Sequence, residues 1–153
     1  MANWPQLSID TEKEFDMCFA CGQKNPIGLK LNFSRHGKEV KSEFTPTKLH
    51  QGWSGVVHGG IIGCILDEAV SYAALFAGVN TITAKMQTRF RRPVQIDEPL
   101  IITAWVTKKT RKLVEAKAEI WLKDGTSVAD STATMFILNP REEKTKSNDW
   151  NRG

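Results

Sequence analysis

His58-Gly59-Gly60-Ile61-Ile62-Gly63-Cys64-Ile65-Leu66-Asp67-Glu68-Ala69-Val70-Ser71-Tyr72-Ala73-Ala74-Leu75-Phe76 is the stretch that decides the fold. Within it Ile61, Ile62, Ile65, Leu66, Ala69, Val70, Ala73 and Ala74 recur at three- and four-residue steps, the period of a helix. So much of the circumference is apolar or small that a one-sided surface helix does not fit, and the segment reads as a helix enclosed by the rest of the chain. Before it, Ile27, Leu29, Leu31 and Phe33 alternate with Gly28, Lys30 and Asn32, the two-residue period of a half-buried strand. A turn at Arg35-His36-Gly37-Lys38 leads into a second strand, marked by Val40 and Phe44 and ended by Pro46, which cannot donate to a ladder. After the helix, Thr81 to Val94, Leu100 to Thr107, Val114 to Leu122 and Thr126 to Leu138 are rich in β-branched and aromatic residues. In the third of these Val114, Ala116, Ala118, Ile120 and Leu122 alternate with Glu115, Lys117, Glu119 and Trp121, and Asp124-Gly125 marks a hairpin. Two strands, one helix and four long strands predict an α+β fold, a curved antiparallel sheet of about six strands wrapped around a long central helix.

A chain of 153 residues is the size of one domain, 1–153, with a polar lead over 1–17 that carries Trp4 and Phe15 as anchors and a charged, flexible tail over 140–153. With 41% hydrophobic and 25% charged residues the composition is globular rather than disordered. The net charge of +4 is small and scattered, which argues against a nucleic-acid partner and suits an anionic small molecule. The apolar stretches fall short of a membrane span, and Met1 to Asp16 lacks a basic-then-apolar leader, so no signal peptide and no membrane partner are expected. An odd set of three cysteines beside a normal-sized core points to reduced thiols and a cytoplasmic setting.

The chemistry concentrates at the helix. Its first turn presents unpaired N–H groups and the positive end of the dipole, and Gly59 and Gly60 let a ligand oxygen approach the backbone. A tight loop-to-helix junction explains the same two glycines without a ligand. Asp67 shares a face with Gly60, Gly63, Cys64 and Ser71, and a carboxylate in so apolar a helix is either paired with an Arg or Lys or functional. Glu68 lies about 100° around the axis, so the two acids do not form one dyad. Eight residues separate Gly59 from Asp67, about 12 Å of axial rise, whereas a base and the donors to an oxyanion must meet on one carbonyl. One helix cannot do both; two antiparallel copies across a two-fold axis can, with Asp67 of one opposite Gly59 of the other. His58 is either a general base or a cap that frames the helix start. Arg89, Arg91 and Arg92, and then Lys108, Lys109, Arg111 and Lys112, are either solvated strand ends or anion-binding groups. Cys18-Phe19-Ala20-Cys21 has the form of half a zinc knuckle, but no second Cys or His pair follows, so a packed turn of thiols and no metal is the expectation. Cys64 is expected to pack. Trp53, Tyr72, Phe76 and Met86 suit a pocket or a core equally.

Gly28-Leu29-Lys30-Leu31, then Trp53-Ser54-Gly55-Val56-Val57-His58-Gly59-Gly60, then Asp67-Glu68-Ala69, then Thr88-Arg89-Phe90-Arg91-Arg92-Pro93-Val94, resemble the hotdog-fold acyl-CoA thioesterases, most closely the phenylacetate-degradation branch. The resemblance covers about residues 18–138. It implies an enzyme that hydrolyses an acyl-CoA thioester to the free acid and coenzyme A without a metal or redox cofactor, at the interface of a homodimer that pairs into a dimer of dimers. It places the nucleophile or general base on Asp67, the amide that polarises the carbonyl on Gly59 and a residue that positions water on Thr83. His58 frames the oxyanion site, and Gly60, Trp53, Glu68, Arg89 and Arg91 fall to substrate binding. The family often carries an Asn six residues before the histidine; here that position is Gly52, and its neighbour Gln51 is the substitute. Strict alternation sets Thr83 with Lys85 and Gln87, opposite Ile82, Ala84 and Met86, so a bulge is required if the second set faces the core. The rival readings are an acyl-thioester hydratase or dehydratase on the same fold, and a non-catalytic acyl-CoA-binding protein.

Overall fold

The computed structural model describes residues 16–138, so the expected lead, apart from residues 16 and 17, and the expected tail lie outside the described residues. The helical period of the opening stretch resolves into α1 (Gly59–Phe76), with His58 as its N-cap. Around it run β1 (Ser34–His36), β2 (Glu39–Phe44), a single 3₁₀ turn at Lys48–His50, β3 (Thr81–Phe90), β4 (Leu100–Lys109), β5 (Leu113–Leu122) and β6 (Ser127–Ile137). The strands form one six-stranded sheet in the order β1-β2-β4-β5-β6-β3, every pairing antiparallel. This is the predicted α+β architecture.

One side of α1 supplies the core: Ile62, Ile65, Leu66, Ala69, Val70, Ala73 and Ala74 are buried. They join Leu100, Ile102, Ala104, Val114, Ala116, Ala118 and Ile120 of β4 and β5 in a single cluster. Ile65, Leu66, Leu100, Ile102 and Ile120 are fully buried, each stabilising by about 1.5–3 kcal/mol relative to exposure. Alanines on both helix and sheet keep the layers close.

The sheet wraps α1 as predicted, and within one chain it does so from one side. A sheet in one layer covers one side of a cylinder, and Gly59, Gly60, Gly63, Cys64, Asp67 and Ser71 lie on the side it leaves partly open. At 18 residues and a mean hydropathy of 1.4, α1 also reaches the lower limit of a membrane-spanning length, contrary to the sequence expectation; here its most apolar side packs on the sheet.

The expected strand over residues 27–33 is also corrected. Leu29, Leu31 and Phe33 are buried in alternation, but Ile27 is 76% exposed and Lys30 takes φ 55. Leu29 N–H donates to Phe19 O and Leu31 N–H to Ala20 O, both at 2.9 Å. The segment pairs with a loop, and regular pairing begins only at Ser34. The third expected strand ends at Phe90 rather than Val94, because Arg91 and Arg92 turn their N–H groups to Val128 O.

Ser42 lies on the buried side of β2, 5% exposed, and its hydroxyl has no hydrogen-bond partner among the described residues. An unsatisfied buried hydroxyl carries its desolvation penalty uncompensated. Ser42→Ala is expected to stabilise the fold by about 1 kcal/mol in equilibrium denaturation; a loss of stability would mean that the hydroxyl is satisfied in solution.

Candidate active site

The start of α1 is set by the loop before it. Gly52 N–H donates to Val56 O, Val57 N–H to Val94 O and His58 N–H to His50 O, each at 2.8 Å. The chain therefore reaches residue 58 pinned on both sides, and His58 turns it into the helix from an extended conformation (φ −61, ψ 133). Its ring Nδ1 accepts the Gly60 N–H at 2.8 Å, which leaves the ring proton of the neutral tautomer on Nε2. Gly60 is demanded by this cap: a Cβ there would stand 3.0 Å from Nδ1. Of the roles open to His58, the geometry employs its ring as the cap. Ile61 and Ile62 send their N–H groups to His58 O. The Gly59 N–H has no acceptor among the described residues.

Gly52, at the position where the family often carries Asn, packs against this cap: a Cβ would sit 3.3 Å from both Cα and Cδ2 of His58. Gln51 is exposed, and its Oε1 accepts the Gly55 N–H at 3.0 Å, closing the 51–57 loop on itself. Gly52, Trp53, Val57, His58 and Gly59 line one shallow depression, with the Trp53 ring 87% exposed. The Phe90 ring lies 3.8 Å from where a Gly59 Cβ would stand.

Asp67 lines a second depression, of about 490 Å³, with Gly60, Gly63, Cys64, Thr83, Met86 and Thr88. Its Oδ1 accepts the Thr83 hydroxyl at 2.6 Å, the length of a charge-assisted bond. The Ser71 hydroxyl donates to the Asp67 main-chain oxygen at 3.0 Å, which sets the helix face but leaves the carboxylate alone. Among the described residues no Lys or Arg forms an ion pair with Asp67. Thr83 reaches the acid because β3 is bulged: Thr83 pairs with Met135 and Lys85 with Thr134, leaving Ala84 without a partner. The bulge moves Thr83 onto the face of Met86 and Thr88, as the sequence required for contact with the core side.

Other expected site residues lie elsewhere. Glu68 points away from the Asp67 depression to Cys18 and Cys21, and burial raises its carboxyl above the usual range. Tyr72 stacks on Phe33 at 4.8 Å and tilts against Phe76 at 5.9 Å, an aromatic cluster rather than a pocket wall at Asp67. Arg91 pairs with Asp130, Arg92 with Glu98 at 3.3 Å, and Lys109 caps the helix C-terminus through Ala77 O at 3.1 Å. Arg89 is exposed and makes no ion pair among the described residues. Gly63 and Thr88, which sequence reasoning gave no role of their own, line the Asp67 depression. The helical stripe carried the signal for Gly63; nothing local carried it for Thr88.

With this geometry in view, residues 54–129 match a family model described as the thioesterase superfamily. Acyl-coenzyme A thioesterase THEM4 of Mus musculus is 27% identical over 96 residues, 62% of this chain and 41% of that protein. The chain spans about two fifths of the length of the curated relatives it matches. Among solved structures, the Escherichia coli PaaI protein from the phenylacetic acid degradation operon superposes with a TM-score of 0.68 at 20% identity, covering 72% of this chain and 81% of that one. A thioesterase protein of Streptococcus pneumoniae with coenzyme A superposes at 0.67 and 17% identity, covering 71% and 88%.

Among the described residues Thr83 makes the one hydrogen bond from β3 to the Asp67 carboxylate, and it can be removed without changing shape. Thr83→Val is expected to lower stability by about 1 kcal/mol in denaturant titration, with Thr83→Ser retaining most of it. Equal stability of the Val variant would show that water replaces the hydroxyl at no cost.

Proposed function

We propose that this chain, whose residues 54–129 match the thioesterase superfamily model, hydrolyses an acyl-CoA thioester to the free acid and coenzyme A, with a site shared between two copies of the chain. One observation carries the reading: the partly exposed carboxylate of Asp67, without an ion pair among the described residues, lies about 12 Å along α1 from the Gly59 N–H, which has no acceptor among them, too far for both to act on one carbonyl within a single chain. An antiparallel second helix would bring its own Gly59 to this Asp67. The outer edge of β3 supports a second copy. That strand is 10 residues long and, among the described residues, pairs only with β6 and leaves the main-chain groups of its other edge to a neighbour. Phe90, 58% exposed next to Gly59, and Trp53 add apolar surface at the same end.

In this mechanism the Asp67 carboxylate takes a proton from a water that Thr83 helps to position, and the water oxygen bonds to the thioester carbon. The displaced π electrons rest on the carbonyl oxygen, held by the partner's Gly59 N–H and the positive end of its helix. Collapse breaks the carbon–sulfur bond, and Asp67 returns the proton to the leaving thiolate. Direct attack by Asp67, followed by hydrolysis of the anhydride, uses the same atoms. Arg89, beside Phe90 and unpaired, is the first candidate for the coenzyme A phosphates, with Arg91 sharing its guanidinium with Asp130. Trp53 and Gly60 line the approach. Three free thiols support a reducing, cytoplasmic setting.

Asp67→Asn is expected to reduce release of free thiol from a panel of acyl-CoA esters by at least about 100-fold while the fold and oligomeric mass persist. Near-normal turnover in that variant, or a monomeric active protein, would overturn the mechanism. Tight acyl-CoA binding with no thiol release by the natural protein would replace hydrolysis with binding, and enoyl-CoA hydration would replace it with the hydratase reading. The shared site has its own test. Gly59→Pro removes the amide hydrogen at the first helical position, where proline is tolerated after an extended residue such as His58. Two inactive homodimers, Asp67→Asn and Gly59→Pro, when unfolded and refolded together should regain about one quarter of natural activity, because half of the mixed dimers' sites are intact. No recovery would place both groups in one chain.

A further inference from the structure

Cys18, Cys21 and Glu68 meet on the side of α1 away from the Asp67 depression, and the proposed hydrolysis makes no use of them. The two thiol sulfurs and a carboxylate oxygen all lie within 4.8 Å of one another, and Cys18 Sγ is 3.9 Å from Glu68 Oε1. Ligands at about 2.3 Å (sulfur) and 2.0–2.2 Å (oxygen) from a tetrahedral Zn²⁺ stand roughly 3.5–3.8 Å apart, so a small side-chain movement closes the set. We propose that Cys18, Cys21 and Glu68 bind one Zn²⁺, with the fourth position left to water, and that the metal pins the segment before β1 onto helix α1.

The backbone is shaped for this purpose. The loop that carries the thiols turns so tightly that a Cβ on Gly22 would lie 2.4 Å from Asp16 O and 2.5 Å from Cys18 N, so only glycine fits after the second cysteine. Gly22 N–H donates to Cys18 O at 2.8 Å, and Asn25 Nδ2 to Met17 O at 3.1 Å. The 29–31 segment straps the loop from outside through the bonds to Phe19 O and Ala20 O. The two thiols are thus held in place by main-chain bonds, over a carboxylate fifty residues away on a rigid helix.

Chemistry selects the ion. Two thiolates favour a soft or borderline metal, and a carboxylate completes a zinc set more readily than a copper(I) one. A divalent ion takes the two sulfurs as thiolates, since a coordinated thiol gives up its proton on binding.

The test uses the full chain, purified under a non-chelating reductant and stripped of metal. One equivalent of Zn²⁺ should bind per chain and raise the melting temperature, and Co²⁺ added instead to the metal-free protein should give the thiolate-to-cobalt charge-transfer absorption of a tetrahedral site, which Zn²⁺ then bleaches by displacing it. Cys21→Ser should abolish that absorption, and Glu68→Gln should weaken binding by about 10–100-fold. X-ray absorption of the zinc-loaded natural protein reads the ligands even if the variants fail to fold, and two sulfur neighbours are expected. No stoichiometric uptake, zinc with only nitrogen and oxygen ligands, undiminished binding in Cys21→Ser, or a Cys18–Cys21 disulfide that forms in preference to the metal site would each overturn the assignment.

Discussion

A single-layer sheet can cover only one side of an 18-residue helix, and the chemistry of this molecule lies in what α1 does with the rest. Its buried side is an ordinary apolar contact, with Ile65, Leu66, Ala69, Val70 and Ala74 wholly removed from water. Its other side carries Gly60, Gly63, Asp67 and Ser71, residues that leave room and stay partly wet. A carboxylate there is partly exposed and has no ion pair among the described residues, while one hydroxyl from β3 fixes its direction. Had the sheet closed around the helix, Asp67 would have needed a buried Arg or Lys, and the pair would have been inert.

The same constraint separates the two chemical ends of α1. Its N-terminus is aimed by the 51–58 loop and its cap, and its acid by the β3 bulge, with about 12 Å of helix between them. A rigid rod cannot bend its first turn back to its middle. In the proposed dimer the separation becomes useful, because an antiparallel pair of rods places each end against the other's middle twice. Self-association is then a requirement of the chemistry rather than an addition to a finished site.

What the sequence discloses follows from how local the cause is. The helix and β4, β5 and β6 are legible to within a few residues because their periods run unbroken over ten residues or more. The Asp67 stripe is legible because helical spacing alone puts Gly60, Gly63 and Asp67 on one face. The bulge is not legible: Ile82, Ala84 and Met86 alternate with no break, and the displaced register appears only when β3 meets Met135 and Thr134 of β6. Residues 27–33 mislead for a related reason. Leu29, Leu31 and Phe33 do alternate in burial, but a strand also needs a partner strand, and theirs is the Cys18–Gly22 loop. The Cys18-x-x-Cys21 pair is incomplete as a local motif, and its nearest further donor is the Glu68 carboxylate fifty residues on, which no local spacing discloses.

Asp67 and Glu68 make the logic of the helix explicit, since two adjacent acids about 100° apart meet opposite surroundings. Asp67 points to the partly open side, where its carboxylate accepts the Thr83 hydroxyl. Glu68 points under the Cys18–Gly22 loop, where burial raises its carboxyl and its neighbours are the Cys18 and Cys21 thiols. A half-buried acid beside two half-buried thiols carries a desolvation cost that apolar residues of similar size would not. Retaining all three is economical only if something positive is shared among them. A divalent cation meets that need and ties the segment before β1 to α1 one residue from Asp67. The rigidity of the helix acid would then depend on Thr83 at the front and the bound metal behind.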